Sequence, residues 1–291
     1  MTSIKTVGVA GAGTMGAGIA IVAARAGFNT VLFDLNQDML DRARRQTEGF
    51  FGKSVEKGKL SEADAQAALD RLKDTTEHAG LAKCDIVIEA IFEDLEVKRE
   101  LFSKLNEVCP PETLFASNTS TLSITEIAGG TGRDDRVVGM HFCLPAQLMK
   151  LVEMSPGLNT SEETFQEAWH FCEALGQKPV ETQDTPGFIL NYFLVPFNND
   201  AIRLVESGIA EPADLDRAIK TALGYPMGPC ELLDLVGLDT QVRLCESFAP
   251  VLSDPRAEAP PLLRRMVAAG RLGRKTGRGF FNYERDAMFG G

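Results

Sequence analysis

Short apolar runs alternate with amphipathic stretches from Val7 to about Thr182, and beyond Pro186 only helical periodicity remains. The first run, residues 7–10, reads as a buried strand. Residues 19–23 continue as a tightly packed helix up to Gly27, and residues 29–34 form a second strand that ends in an acid. Residues 39–76 read as two helices with a turn at Gly58. Asn36 or Asp38 caps the first, and Ser61-Glu-Ala-Asp64 opens the second. Further strands are expected at 84–89, 113–117, 136–141, 149–154 and 178–182, with helices at 95–108, 123–128 and 162–175. A strand–helix–strand unit needs about 30 residues in all. The longer interval before residue 84 therefore carries an inserted helical hairpin. From Thr185 onward helices are expected at 188–206, 212–223, 231–235, 239–248 and 261–269, and the glycine-rich basic tail at 270–279 reads as a turn-filled loop.

Gly11, Gly13 and Gly16 stand between the first strand and the first helix in G-x-G-x-x-G spacing. Gly11 allows the tight turn, Gly13 lets backbone approach a pyrophosphate, and Gly16 lets the helix pack close to the sheet. The helix N-terminus, with Thr14 and Met15, offers free N–H groups and partial positive charge to phosphates. Asp34 follows Gly11 by 23 residues, where a carboxylate accepts both ribose hydroxyls of an adenosine. The same charge repels a 2′-phosphate, which favours NAD over NADP. The expected architecture is an α/β Rossmann-type N-terminal domain with an inserted helical hairpin, residues 1–184, then an all-α C-terminal domain, residues 185–291.

Composition narrows the class. With 44% hydrophobic and 24% charged residues over 291 positions, the chain is of the soluble globular kind. No apolar run approaches the ~20 residues of a membrane span, and the N-terminus lacks a signal-peptide layout. A net charge of −11 argues against nucleic acid as a partner. An acidic protein that binds phosphates must gather cations locally, and Lys53, Lys57 and Lys59 are gathered on the hairpin. The six cysteines include no C-x-x-C pair, so buried thiols in a reducing cytoplasm are expected and a metal site is not.

Of the three histidines, His78 sits at a polar helix end and reads as a surface residue. His170, between Trp169 and Phe171, reads as structural. His141 ends an apolar strand, and ligands of open α/β sheets bind outside the carboxyl ends of strands. Oxidation of an alcohol by NAD releases a proton, and imidazole, with a reference pKa of ~6.5, suits that task. Glu153, on the strand after the Pro145 turn, is the expected partner that fixes the tautomer.

Several stretches together resemble the 3-hydroxyacyl-CoA dehydrogenase family. They are residues 11–20, Ser117-Asn-Thr-Ser-Thr-Leu-Ser-Ile124, Gly139-Met-His-Phe142, Met149-Lys-Leu-Val-Glu153, Pro186-Gly-Phe-Ile-Leu-Asn191, Gly224-Tyr-Pro-Met-Gly-Pro229 with the stretch from Asp234 to Asp239, and Gly273-Arg-Lys-Thr-Gly-Arg-Gly-Phe280. Length and layout are most similar to the short bacterial 3-hydroxybutyryl-CoA dehydrogenases. The resemblance implies His141 as general base or acid with Glu153 as its partner, and Ser120 and Asn191 as hydrogen-bonding the substrate's 3-oxygen. It implies that Glu93 and Lys98 contact the cofactor, that Lys53 and Lys57 bind the nucleotide end of coenzyme A, and that the helical domain forms a homodimer.

The sequence departs from the family pattern at Leu144, where Asn is usual, at Gln147, where Pro is common, and at Tyr192, where Arg is common. The implied activity is NAD-dependent interconversion of a (3S)-3-hydroxyacyl-CoA and the 3-oxoacyl-CoA. Two alternatives stay open: a dehydrogenase of a free 3-hydroxy acid or sugar acid, like gulonate dehydrogenase, and a non-catalytic NAD-binding relative.

Overall fold

The computed structural model describes residues 3–252 and 254–283, and the chain divides into two compact units, residues 1–188 and 189–291. The first unit contains strands β1 (Thr6–Ala10), β2 (Asn29–Phe33), β3 (Leu72–Thr75), β4 (Ile86–Glu89), β5 (Leu114–Ser117), β6 (Val137–Phe142), β7 (Leu151–Pro156) and β8 (Lys178–Glu181). They form one sheet in the order β3-β2-β1-β4-β5-β6-β7-β8. Every neighbouring pair is parallel except β6 and β7. Helices α1 (Thr14–Arg25), α2 (Gln37–Glu56), α3 (Glu62–Arg71), α4 (Leu95–Val108), α5 (Ile124–Ala128) and α6 (Glu162–Ala174) connect the strands. Strand order reverses between β1 and β4, which creates the crevice where such sheets bind ligands.

The apolar runs follow from burial on both faces of a parallel sheet. Val7, Val9, Ile86 and Ile88 join one core with α1 and α6, while Ala10, Val87 and Phe115 join the other with α4 and α5. Asn36 caps α2 by accepting from the Asp38 N–H, and Ser61 caps α3 by accepting from the Asp64 N–H.

The structure corrects the expectation that the second hairpin helix runs to about Thr76: Leu72–Thr75 is the edge strand β3, paired with β2. Leu-Lys-Asp-Thr is too short and too polar to show a period of two, and pairing with β2 overrides its local pattern. The split between units falls after Phe188 because Asp184 ties this segment to the N-terminus of α5, where it accepts from the N–H groups of Ile124 (2.7 Å) and Thr125 (2.8 Å).

The second unit contains α7 (Leu190–Glu206), α8 (Pro212–Leu223), α9 (Pro229–Val236), α10 (Leu238–Leu252) and α11 (Pro261–Ala268). Val195, Ile202, Leu233, Phe248 and Leu263 form its core. Pro212, Pro229 and Pro261 start their helices where a missing N–H costs nothing. The basic tail folds back on its own unit: the Asp234 carboxylate accepts from the N–H groups of Phe280 and Phe281, both at 2.9 Å. Among the described residues, no helix is long and apolar enough to cross a membrane.

Candidate active site

The turn after β1 is built as the glycine spacing requires. Gly11 has φ +105°, and a Cβ there would stand 2.6 Å from the Ala90 carbonyl oxygen. At Gly16 a Cβ would stand 1.7 Å from the Gly11 oxygen, so only glycine lets α1 start this close to the strand. Gly13 differs: a Cβ there would meet nothing within 4 Å. The protein itself does not demand glycine at Gly13, and the open space in front of α1 fits an approaching phosphate. No side chain caps α1, so Thr14 and Met15 begin a helix whose first N–H groups no cap side chain claims.

Asp34 stands at the end of β2, where its carboxylate accepts from the Ala12 N–H (2.8 Å) and the Asn36 N–H (2.9 Å). A cleft of about 620 Å³ opens between these residues, with Gly11, Gly13, Asp34, Ile91 and Phe92 in its walls. It lies at the β1–β4 switch point. Phosphate-facing backbone at one end, a carboxylate for ribose and apolar walls for a base fit a dinucleotide.

At the end of β4 the fully buried Glu89 receives the Lys98 ammonium on both oxygens at 2.7 Å and the Ser117 hydroxyl. Lys98 also lies 3.2 Å from Glu93. Glu93 accepts from the N–H groups of Ser120 (2.8 Å) and Thr121 (2.9 Å) and from the Thr119 hydroxyl (2.6 Å). Burial raises the Glu93 carboxyl, but the Lys98 charge and these donors outweigh it and hold Glu93 below the usual carboxylate range. Lys98 is only 1% exposed, so its visible work is to balance Glu89 and Glu93.

His141 and Glu153 are directly opposed in the antiparallel register of β6 and β7. Opposed residues share a sheet face, and His141 Nδ1 lies 2.8 Å from Glu153 Oε2. Met140, Phe142, Val152 and Met154 point to the core on the other face, which explains a carboxylate within an apolar strand. Glu153 is 1% and His141 8% exposed, and His141 Nε2 makes no hydrogen bond to a described residue. The pair stands at the carboxyl end of β6, on the same sheet edge as the glycine turn. Asn118, which no local pattern marks, accepts from the Phe142 N–H at 2.9 Å and ties the Ser120 turn to β6. Phe188 is buried against the imidazole, with ring centroids 5.5 Å apart. Its φ of +47° is the one positive value at a non-glycine residue among those described, a conformation that costs about 1–3 kcal/mol.

Lys53 and Lys57 line a separate cleft of about 690 Å³ on the hairpin side. Lys59 joins them, together with Arg25 and Lys150, which sequence spacing did not bring to this group. Among the described residues none of these five cations forms an ion pair. Asn191 lies in the first turn of α7, in the second unit. His78 keeps part of its ring exposed while the rest lies against Phe33, and His170, expected in a structural setting, is exposed. All six cysteines are free and buried, and burial pushes the Cys143 thiol next to the site up to about 12.

Doubly wound sheets with an imidazole at the edge that carries the dinucleotide cleft are an architecture of nicotinamide-dependent dehydrogenases, and this chain is an oxidoreductase of that class. More narrowly, it belongs to the 3-hydroxyacyl-CoA dehydrogenase family: the model of the family's NAD binding domain matches residues 6–185 and that of its C-terminal domain matches residues 187–283. A probable 3-hydroxybutyryl-CoA dehydrogenase of Deinococcus radiodurans is 45% identical, covering 95% of this chain and 99% of its own. The crystal structure of FadB2 from M. tuberculosis superposes with a TM-score of 0.93 at 40% identity, covering 96% of this chain and 99% of that one. The (S)-3-hydroxybutyryl-CoA dehydrogenase PaaH1 of Ralstonia eutropha gives 0.89 at 39% identity, with 97% and 100% covered.

Proposed function

We propose that the protein interconverts a (3S)-3-hydroxyacyl-CoA and the corresponding 3-oxoacyl-CoA, with His141 as acid and base. The 2.8 Å contact between His141 Nδ1 and Glu153 carries this reading. A carboxylate on Nδ1 favours the tautomer with its proton there and leaves Nε2 as an acceptor. In the oxidation direction Nε2 takes the hydroxyl proton, and the imidazolium is stabilised by Glu153. In reduction the same nitrogen returns that proton to the oxygen at C3. NAD accepts the hydride from C3, or NADH supplies it.

Ser120, held by Glu93, is assigned to the substrate's 3-oxygen, and the family motif carries the same role to Asn191. Gly11, Gly13, Thr14, Met15, Gly16 and Asp34 are assigned to the cofactor. Glu93 is assigned to the same site, with Lys98 acting through it. The coenzyme A nucleotide is assigned to Lys53 and Lys57. A homodimer through the helical unit and a cytoplasmic location complete the reading, the latter supported by the buried free thiols. The test follows NADH consumption with acetoacetyl-CoA and with free acetoacetate. Turnover of the thioester only, reduced about 10²- to 10⁴-fold in His141→Gln, is the expected result. Full activity in His141→Gln would refute the catalytic assignment, and equal use of free acetoacetate would favour the free-acid reading.

A further inference from the structure

We propose that Phe188 is a positioning residue that holds the His141 imidazole in its reactive orientation. The proposal rests on the acid–base reading of His141. Phe188 is 5% exposed, and its ring lies 5.5 Å from the imidazole, centroid to centroid, with 38° between the planes. Its backbone takes φ +47°, which a bulky side chain rarely adopts. The surroundings enforce that conformation. Asp184 is bound by the hydroxyls of Ser123 and Thr125 as well as by the N–H groups of Ile124 and Thr125. The Gly187 N–H donates to the Ser120 carbonyl at 3.2 Å, and the Phe188 N–H donates to the Thr185 carbonyl at 3.0 Å.

The segment before Phe188 is thus pinned to the turn that carries Ser120 and to α5, and the unfavourable backbone turns the ring onto His141. Glu153 restrains the imidazole only at Nδ1, and a hydrogen bond at one ring atom still allows the ring to swing about it. A ring against the imidazole limits that swing and directs Nε2. The same segment contacts Ser120 through Gly187, so one short stretch sets both the acid–base group and the proposed oxygen-binding group.

The test compares Phe188→Ala and Phe188→Leu with the wild type and with His141→Gln, using acetoacetyl-CoA and NADH. A small displacement of a reacting group costs up to about 10²-fold in rate. Phe188→Ala is therefore expected to lower kcat about 10- to 100-fold, with the KM for acetoacetyl-CoA and the Kd for NADH unchanged. The primary isotope effect with NADH deuterated at the transferred position should rise as hydride transfer becomes limiting. Phe188→Leu, which keeps apolar bulk against the imidazole, should recover part of the loss, and it carries the measurement if the alanine variant does not fold. Wild-type kcat in these variants, a loss confined to KM, or a loss that tracks the folded fraction with an unchanged isotope effect would overturn the proposal. An active His141→Gln would instead show that the underlying catalytic reading is wrong.

Discussion

Glu93 in the first unit and Asp234 in the second do the same structural task with opposite electrostatics. Each carboxylate holds a loop through backbone N–H groups and a hydroxyl: Glu93 holds the turn 119–121, and Asp234 holds Phe280, Phe281 and the Tyr283 hydroxyl. Glu93 has Lys98 at 3.2 Å, whereas no described cation pairs with Asp234. Burial raises Asp234, its three donors only partly offset that, and the charge of nearby Asp216 adds to it, so Asp234 stays above the usual carboxylate range. Glu93 stays below it. Hydrogen bonds to a carboxylate favour its charge, but here the ammonium decides the sign.

The signs make opposite forecasts for stability against pH. Glu93, depressed in the folded state, contributes fully above the unfolded carboxylate value and loses that contribution as pH falls through its folded value. Asp234, raised in the folded state, contributes fully below the unfolded value and loses that contribution as pH rises through its folded value.

The comparison breaks most sharply at Lys98. Lys98→Met leaves Glu89 buried without its cation and should cost about 3–5 kcal/mol in urea unfolding. It should also remove the acid-side loss that Glu93 contributes, making Glu93 behave like Asp234. An unchanged unfolding midpoint would show that the ammonium does not balance these carboxylates. Asp234→Asn should cost about 1–3 kcal/mol, because an amide cannot accept from all the donors that the carboxylate serves. In that variant the decline of stability with rising pH should flatten across the carboxylate range, whereas a steeper decline would contradict the assigned sign. Glu93→Gln should cost least, about 1 kcal/mol, since the amide oxygen still accepts from the turn. Its expected signature is a flatter acid limb together with slower turnover of acetoacetyl-CoA. Unchanged turnover would detach Glu93 from the Ser120 turn's proposed role.

Much of the fold is legible because its signals are local. Runs such as residues 86–88 are apolar throughout since both sheet faces are covered, and the glycine spacing reports a turn made over a few residues. The edge strand β3 is not legible, because its four residues sit on a half-exposed rim and its pairing comes from β2. The doubly wound sheet and helical second unit match the expected fold class, and the family assignment agrees with the motifs that carried the resemblance.

The sequence by itself determined the apolar runs of the buried strands, the opening of α3 at Ser61, and the glycine turn with its acid at Asp34, whereas the choice of Asn36 over Asp38 as the α2 cap came from the structure. The features read from sequence depend on sterics and hydration within a few residues of each position. Only the tertiary structure decided that β6 and β7 run antiparallel in the register that sets His141 against Glu153. A slip of one residue would turn one of the two to the opposite face of the sheet. It also decided that Arg25 and Lys150 join the hairpin lysines, that Lys98 is buried between two carboxylates, and that Phe188 turns onto the imidazole. Those partners lie far apart along the chain, and what joins them is the packing of whole elements rather than any local pattern.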